Sequence, residues 1–299
     1  MIYLRNENKI IGFIGTGVMG KSMAFNILNN VHNLLVYNRT KAHAEDLIKA
    51  GAIWKNSPSE IAKGSDIIIS MVGYPKDVED IYFGKDGIIE NAKPESIIID
   101  MTTSKPSLAE KIYKEAKKRN IYSLDAPVSG GDIGAKNGTL SIMVGGDENI
   151  FKKMEPVFKL MGNNVTWEGK AGCGQHTKMC NQIAIASNMM GVCEAMAYAE
   201  KAGLDQKKVI DTIKSGAAGS WSLSNLAPRM IKGDFKPGFY VKHFVKDMNI
   251  ALSEADSMNL ETPGLKTAKK LYDKLVKNGK ENCGTQVLYE LIDKINGDK

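Results

Sequence analysis

Short apolar runs alternate with longer amphipathic stretches through the first half of the chain. Residues 10–14, 34–37, 67–72, 97–100, 122–124, 140–144 and 165–167 read as strands, and residues 19–29, 41–50, 106–119 and 149–161 as helices. Strands of about five residues separated by helices of about ten or more make βαβ units and an α/β domain with a mostly parallel, doubly wound sheet. Ile67-Ile68-Ile69 is apolar without alternation, so both faces of that sheet are expected to be covered.

After Gly169 the pattern changes. Ala171-Gly172-Cys173-Gly174 breaks the chain, and beyond it no run reads as a strand. Residues 175–201 carry Met, Ile, Ala, Val and Cys on nearly every side and stop at Gly203, which predicts a buried helix about 40 Å long. Further helices are expected at 206–215, 241–258, 264–278 and 286–296. The organisation expected is an α/β domain over residues 1–170 and an all-α domain over 171–299 with a long central helix. Two domains suit a length of 299 residues.

Composition narrows the function classes. A chain that is 43% hydrophobic and 25% charged can bury a core. Forty Lys+Arg against 34 Asp+Glu leave +6, but the basic residues are scattered singly, so no nucleic-acid partner is expected. The longest uncharged stretch of the C-terminal half, residues 179–193, is interrupted by Asn181, Gln182, Ser187 and Asn188. It is too short and polar to span a bilayer, and no membrane partner is expected. Cys173, Cys180, Cys193 and Cys283 form no C-x-x-C pair and no zinc spacing, so no metal is expected. With a polar lead-in over residues 1–8 and no signal peptide, they read as reduced thiols of a cytoplasmic protein.

Gly15-Thr16-Gly17-Val18-Met19-Gly20 fits G-x-G-x-x-G between the first strand and the first helix, the context that dinucleotide binding requires. The first glycine permits the tight turn, the second lets backbone approach a pyrophosphate, and the third lets helix and strand pack closely. The other reading is an ordinary turn. The second strand ends in Tyr37-Asn38-Arg39-Thr40 with no acid at 38–40, where NAD-selective sites usually place an Asp or Glu for the ribose hydroxyls. An amide, a guanidinium and a hydroxyl suit a 2′-phosphate instead. The expected cofactor is NADP(H), with NAD(H) as the second possibility. Thr40 is also expected to cap the helix that follows.

Three more segments carry a resemblance. They are Asp100-Met101-Thr102-Thr103-Ser104-Lys105-Pro106, Asp125-Ala126-Pro127-Val128-Ser129-Gly130-Gly131, and Gly172-Cys173-Gly174-Gln175-His176-Thr177-Lys178-Met179-Cys180-Asn181-Gln182. With the glycine loop, they resemble the four signature segments of the β-hydroxyacid dehydrogenase family, in order, over nearly the whole chain. The resemblance implies a Rossmann domain followed by a helical domain, a homodimer or homotetramer, and hydride exchange between NAD(P) and a small carboxylate-bearing substrate. By motif it makes Lys178 the general acid/base. Ser129, Gly130 and Gly131 cradle the carboxylate, Asn181 and Gln182 orient the substrate, and Phe239 walls the pocket. Val72, Thr103 and Lys246 join the glycine loop in contacting the cofactor. Many relatives have Asn where Gln182 stands. An imine reductase shares the scaffold but usually lacks the Lys, a non-catalytic NADP-binding sensor is the reading from another class, and 6-phosphogluconate dehydrogenase has a larger helical domain than this chain offers.

The residues read on their own point the same way. Lys178, Asn181, Gln182 and Ile185 fall at i, i+3, i+4 and i+7, one helix face. A covered face would oblige those polar groups to find partners; the plain alternative is a lysine reaching solvent. Hydride delivery to a carbonyl leaves negative charge growing on oxygen, and an ammonium there supplies both charge and proton. Partial desolvation and a positive nicotinamide ring are expected to lower its pKa from about 10.4. Adjacent glycines at 130 and 131 can turn N–H groups toward a carboxylate or serve only the turn. His176 and His243 are read as structural or surface residues. Asp247 beside Lys246 is a salt-bridge member that orients a pocket or is a solvated charge, Trp221 lines a pocket or packs in a core, and Met179, Met189, Met190 and Met196 read as core or subunit interface.

Overall fold

In the computed structural model, which describes residues 9–31 and 33–297, the apolar runs of the first half pair into one nine-stranded sheet. The polar lead-in over residues 1–8 lies outside the described residues. In chain order the elements are β1 (Ile11–Ile14), α1 (Val18–Leu28), β2 (Leu34–Tyr37), α2 (Glu45–Lys49), β3 (Ile53–Trp54), α3 (Pro58–Gly64), β4 (Ile67–Ser70), α4 (Pro75–Phe83), α5 (Ile88–Asn91), β5 (Ile97–Asp100), α6 (Pro106–Lys117), β6 (Tyr122–Asp125), β7 (Val128–Ser129), α7 (Gly131–Asn137), β8 (Leu140–Gly146), α8 (Glu148–Phe158) and β9 (Gly162–Gly169). The helical half follows with α9 (Cys173–Lys201), α10 (Gln206–Ile213), α11 (Trp221–Asn225), α12 (Ala227–Met230), α13 (Val241–Ser257), α14 (Pro263–Lys277) and α15 (Leu288–Gly297).

The sheet order is β3-β2-β1-β4-β5-β6-β8-β7, with β9 on β8. Strands β3 through β6 in that order are parallel, β8 runs antiparallel to β6 and β7, and β9 is parallel to β8. The order reverses between β1 and β4. That switch point is where open α/β sheets take ligands, at the carboxyl ends of the strands. Uninterrupted isoleucine runs fit because alternate residues serve opposite faces. Ile11, Phe13, Leu34, Val36, Ile67, Ile69, Ile97 and Ile99 enter one core, while Ile14, Leu35, Ile68 and Ile98 enter the other. A polar residue at any of these positions would leave an unmet group under a helix.

The chain divides into two compact units, Met1–Lys178 and Met179–Lys299. The division falls inside α9, because the first turns of that helix are bonded to the sheet unit, as described below. The second unit builds its own core from Met189, Cys193 and Met196 of α9, Phe244 and Met248 of α13, Leu265 and Tyr272 of α14, and Leu288 of α15. Phe244 and Tyr272 meet edge to face at 5.0 Å between ring centres. The four methionines singled out above behave as core, Met190 less completely than the others.

Several expected elements change in detail. Strand β4 ends at Ser70 rather than at 72. Residues 41–50 are not one helix but a 3₁₀ turn, Lys41–Ala44, followed by α2, and the Thr40 side chain makes no cap bond. Residues 286–296 likewise start as a 3₁₀ turn, Thr285–Val287. Helix α9 is not apolar all round. Cys180, Ala184, Ser187, Gly191, Glu194 and Tyr198 form an exposed stripe at spacings of three and four residues. Trp221 is 65% exposed at the start of α11, so it belongs to no core.

Candidate active site

The loop from β1 into α1 has the shape the glycines predict. Gly15 has φ +95, and a Cβ on it would stand 2.2 Å from the Met71 carbonyl oxygen. A Cβ on Gly20 would stand 1.9 Å from the Gly15 carbonyl oxygen. Gly17 differs: its φ is −71 and a Cβ there would meet nothing within 4 Å. Gly17 and Val18 are exposed, and α1 starts with no side-chain cap and no acid in its first turn. Such an end attracts an anion. Thr16 is fully buried and its Oγ1 has no hydrogen-bond partner among the described residues. A dinucleotide pyrophosphate fits this place, since it brings acceptors to unmet donors where only a missing Cβ leaves room.

The loop after β2 is held to the first. Asn38 accepts from Thr16 N through Oδ1 at 3.0 Å and donates to the Thr40 carbonyl through Nδ2 at 2.9 Å. Its amide is a brace between the two loops. Arg39 is 87% exposed, and its Nη1 lies 3.3 Å from Asp77 Oδ1 on α4. Asp77 also accepts from Tyr74 N at 3.0 Å, which fixes it at the helix start.

Two carboxylates sit side by side at the ends of β5 and β6, where Asp100 pairs with Asp125 in register. Asp100 Oδ1 accepts from Ser70 Oγ at 2.8 Å and from Thr102 N at 3.1 Å. Burial pushes its carboxyl up to about 6, opposed by the bonds from Thr102 and Ser70 and reinforced by the Asp125 charge. Asp125 is raised as well, by burial against its backbone hydrogen bonds. It accepts from Gly172 N at 2.8 Å and from Gln175 N at 2.9 Å, so the entry into α9 is bonded to the end of β6. Gly174 is obligatory in that contact, since a Cβ would stand 2.4 Å from the Met143 carbonyl oxygen and 2.7 Å from that of Asp125.

The raised Asp100 pKa sets a pH dependence. A folded-state value of about 6 above the ordinary 3.8 means the folded chain holds this proton more tightly than the unfolded one. The associated stability is full below about 3.8 and lost as pH rises through about 6, a change on the order of 3 kcal/mol. Asp100→Asn should therefore gain in melting temperature relative to the parent protein between pH 4.5 and 7.5. A difference that does not vary with pH would place the proton elsewhere.

Lys178 lies on α9 with 7% of its surface exposed, so the solvent-reaching alternative is set aside. Ser129 closes β7, and Gly130 (φ +130) and Gly131 (φ +65) take left-handed backbone into α7, a conformation that excludes most side chains. Thr103 is half-buried in the loop after β5, and Val72 N donates to Thr102 Oγ1 at 2.9 Å.

In the second unit the predicted residues converge on Asp247. Asn181 Nδ2 donates to Gln182 Oε1 at 2.7 Å, and Gln182 Nε2 donates to Asp247 Oδ2 at 2.6 Å. Lys246 Nζ stands 2.9 Å from Asp247 Oδ1, an ion pair without the angles of a hydrogen bond. Gln182 and Asp247 are almost fully buried. Asp247 is thus no solvated charge. The Phe239 and Phe244 rings meet tilted at 57°, with 5.6 Å between their centres. His243 is partly buried and its pKa lowered, by desolvation first and then by Lys246, with Asp247 opposing.

Two residues were not assigned from the sequence, Asp125 and Gln175; Asp247 was read as a salt-bridge member, and only its bond to Gln182 was not foreseen. The signal available was a polar residue inside a run of small and apolar ones. Gln175 stands three positions before Lys178, on the face expected to be covered. Among the described residues, no group of three or more His, Cys, Asp and Glu could hold a metal ion, and no helix is long and apolar enough to cross a membrane.

Comparison with known proteins adds the following. A family model described as the NAD binding domain of 6-phosphogluconate dehydrogenase matches residues 10–169. A second, described as NAD-binding of NADP-dependent 3-hydroxyisobutyrate dehydrogenase, matches residues 172–292. The chain is 63% identical to an uncharacterised oxidoreductase, YkwC, of Bacillus subtilis (strain 168), over 95% of this chain and 98% of that one. It is 37% identical to the 2-hydroxy-3-oxopropionate reductase of Escherichia coli (strain K12), over 95% of this chain and 97% of the relative. Among solved structures, the 3-hydroxyisobutyrate dehydrogenase of Mycobacterium tuberculosis with L-serine superposes with a TM-score of 0.88 at 27% identity, over 95% of this chain and 99% of that one.

Proposed function

Since the chain belongs to the β-hydroxyacid dehydrogenase family, an NAD(P)-dependent oxidoreductase family, we propose that it is an NADPH-preferring reductase of a small semialdehyde or oxo acid, reversible as a dehydrogenase of the matching hydroxyacid. Residues 1–170 serve the dinucleotide, and residues 171–299 serve the substrate and subunit contacts. The observation that carries this reading is a buried lysine, Lys178, on a helix whose entry is bonded to the sheet by Asp125, one turn ahead of the amide pair Asn181 and Gln182.

The bound cofactor supplies the hydride. The uncapped start of α1, with Gly15, Thr16, Gly17, Val18, Met19 and Gly20, holds its pyrophosphate, while Val72, Thr103 and Lys246 hold its remaining length. Lys178 keeps an ammonium at the substrate's carbonyl oxygen, where it offsets the growing negative charge and delivers a proton; in the reverse direction the neutral amine removes that proton from the hydroxyl. Ser129 Oγ and the N–H groups of Gly130 and Gly131 receive the substrate carboxylate. Gln182, bonded at both ends of its amide, acts by orienting Asn181, and Phe239 closes an apolar wall.

The absence of an acid after β2 and the exposed Arg39 guanidinium favour a 2′-phosphate. Arg39→Gln should lower the ratio of kcat/KM for NADPH over NADH by about tenfold, the scale of one charge-assisted contact. An unchanged ratio would remove Arg39 from that role. A homodimer or homotetramer is supported by the exposed, nearly uncharged stripe along α9, a surface that a second copy would cover. Four free cysteines agree with a reducing cytoplasm. The decisive experiment for the reading as a whole is NADPH oxidation against glyoxylate, tartronate semialdehyde, succinic semialdehyde and methylmalonate semialdehyde. Turnover of at least one is expected, and a flat trace with all four would overturn it.

A further inference from the structure

The loop after β5 is tied to its surroundings by side chains that the reaction itself does not use. Asp100 Oδ1 holds Thr102 N, and Thr102 Oγ1 holds Val72 N. Gln175 approaches the same loop from the first turn of α9. Its Nε2 donates to the Thr102 carbonyl at 2.7 Å, and its Oε1 accepts from Ser104 N at 2.9 Å. One amide thus pairs with backbone on both sides of Thr103. Gln175 is 0% exposed, and its own N–H is fixed by Asp125 Oδ2 at 2.9 Å. Lys178 follows three residues later, one helical turn away on the same side.

We propose that Gln175 is a positioning residue that sets the Thr103 segment and the Lys178 amine at a fixed separation, so that hydride donor and proton donor meet the same carbonyl. This rests on the roles given above to Thr103 and Lys178. The chemistry of the side chain fits the task. A carbonyl and an N–H two residues apart need one acceptor and one donor at the end of a single side chain, and a neutral carboxamide is the group that offers both. In a buried place neither backbone group can turn to water, so the pairing is rigid. Misplacement of reacting groups by about 1 Å costs about 10²-fold in rate, which is why a clamp at this point bears on turnover.

The test uses Gln175→Met and Gln175→Glu in the full chain. Methionine keeps the length and loses both bonds. It should lower kcat by at least about tenfold, while the NADPH Kd, read from the fluorescence of the bound dinucleotide, rises by a smaller factor than kcat falls because the glycine loop is untouched. Hydrogen exchange at Ser104 N–H in the cofactor-free protein should accelerate by at least about tenfold. Glutamate reproduces both bonds only when protonated, so its kcat relative to the parent enzyme at each pH should rise as pH falls; the ratio removes the pH dependence common to both enzymes, with Asp100, Asp125, His176 and Lys178 the ionisable groups around the site. A kcat within about twofold of the parent for Gln175→Met, or a pH-independent ratio for Gln175→Glu, would overturn the proposal. Should the parent enzyme turn over no semialdehyde, the functional reading fails by itself, and unchanged exchange at Ser104 N–H would separately overturn the clamp.

Discussion

Replacing Lys178 by alanine should lower kcat by at least about 10²-fold, near 3 kcal/mol of transition-state stabilisation, the scale of losing a general acid. The reason lies in what the site offers instead. His176 and His243 are the nearest imidazoles in sequence, and His243 is partly buried with its pKa lowered, first by desolvation. Water is a weak proton donor at neutral pH. The NADPH Kd should stay within about threefold of the parent value, because the helix end at Gly17 that attracts the pyrophosphate is independent of this amine. Kinetics in both directions separate the outcomes: a fall in kcat with cofactor affinity retained supports the role, and near-normal turnover rejects it.

How much of this was readable beforehand depends on the range of the interaction. The isoleucine runs of β4 and β5 announce buried parallel strands because burial on both faces removes the need for polar alternation. The two-residue strands β3 and β7 are too short to show a period. Helix α3 was legible in principle: Ser57-Pro58-Ser59-Glu60 carries a cap, a proline at the first position and the acid that follows, and Ser57 Oγ does accept from Glu60 N at 3.1 Å. Pro75 likewise opens α4, where Tyr74 N donates to Asp77 Oδ2 at 3.0 Å. The site divides along the same line. Backbone geometry at Gly15, Gly130 and Gly131 follows from residue type, since few side chains tolerate those φ values. The clamp from Gln175 to Thr102 and Ser104 bridges 73 and 71 residues of sequence, a distance over which no periodicity carries information. Asn38 shows the intermediate case: residue type marked it as polar and near the ribose, yet only the fold reveals that its amide braces Thr16 to Thr40.

The glycine loop allows a second strong prediction, because its glycines are needed for different reasons. Gly17→Ala should leave the melting temperature within about 1 °C of the parent and weaken NADPH binding by at least about tenfold, or 1.4 kcal/mol. Its backbone lies at ordinary φ, and the added methyl meets no protein atom within 4 Å, so the fold loses nothing. What the methyl fills is the space above the uncapped start of α1 that the pyrophosphate must enter. Gly20→Ala should do the opposite. There the methyl would lie 1.9 Å from the Gly15 carbonyl oxygen and 3.2 Å from the Phe13 ring. The first of these is backbone and cannot rotate aside, so β1 and α1 must separate. Forced overpacking of that kind costs about 1–3 kcal/mol, and a drop in melting temperature of at least roughly 2 °C is expected even without cofactor. Thermal melts and NADPH titrations of the two variants side by side give the answer. If Gly17→Ala binds NADPH as tightly as the parent, the open space at that position is not where the pyrophosphate sits, and the glycine loop serves the turn alone.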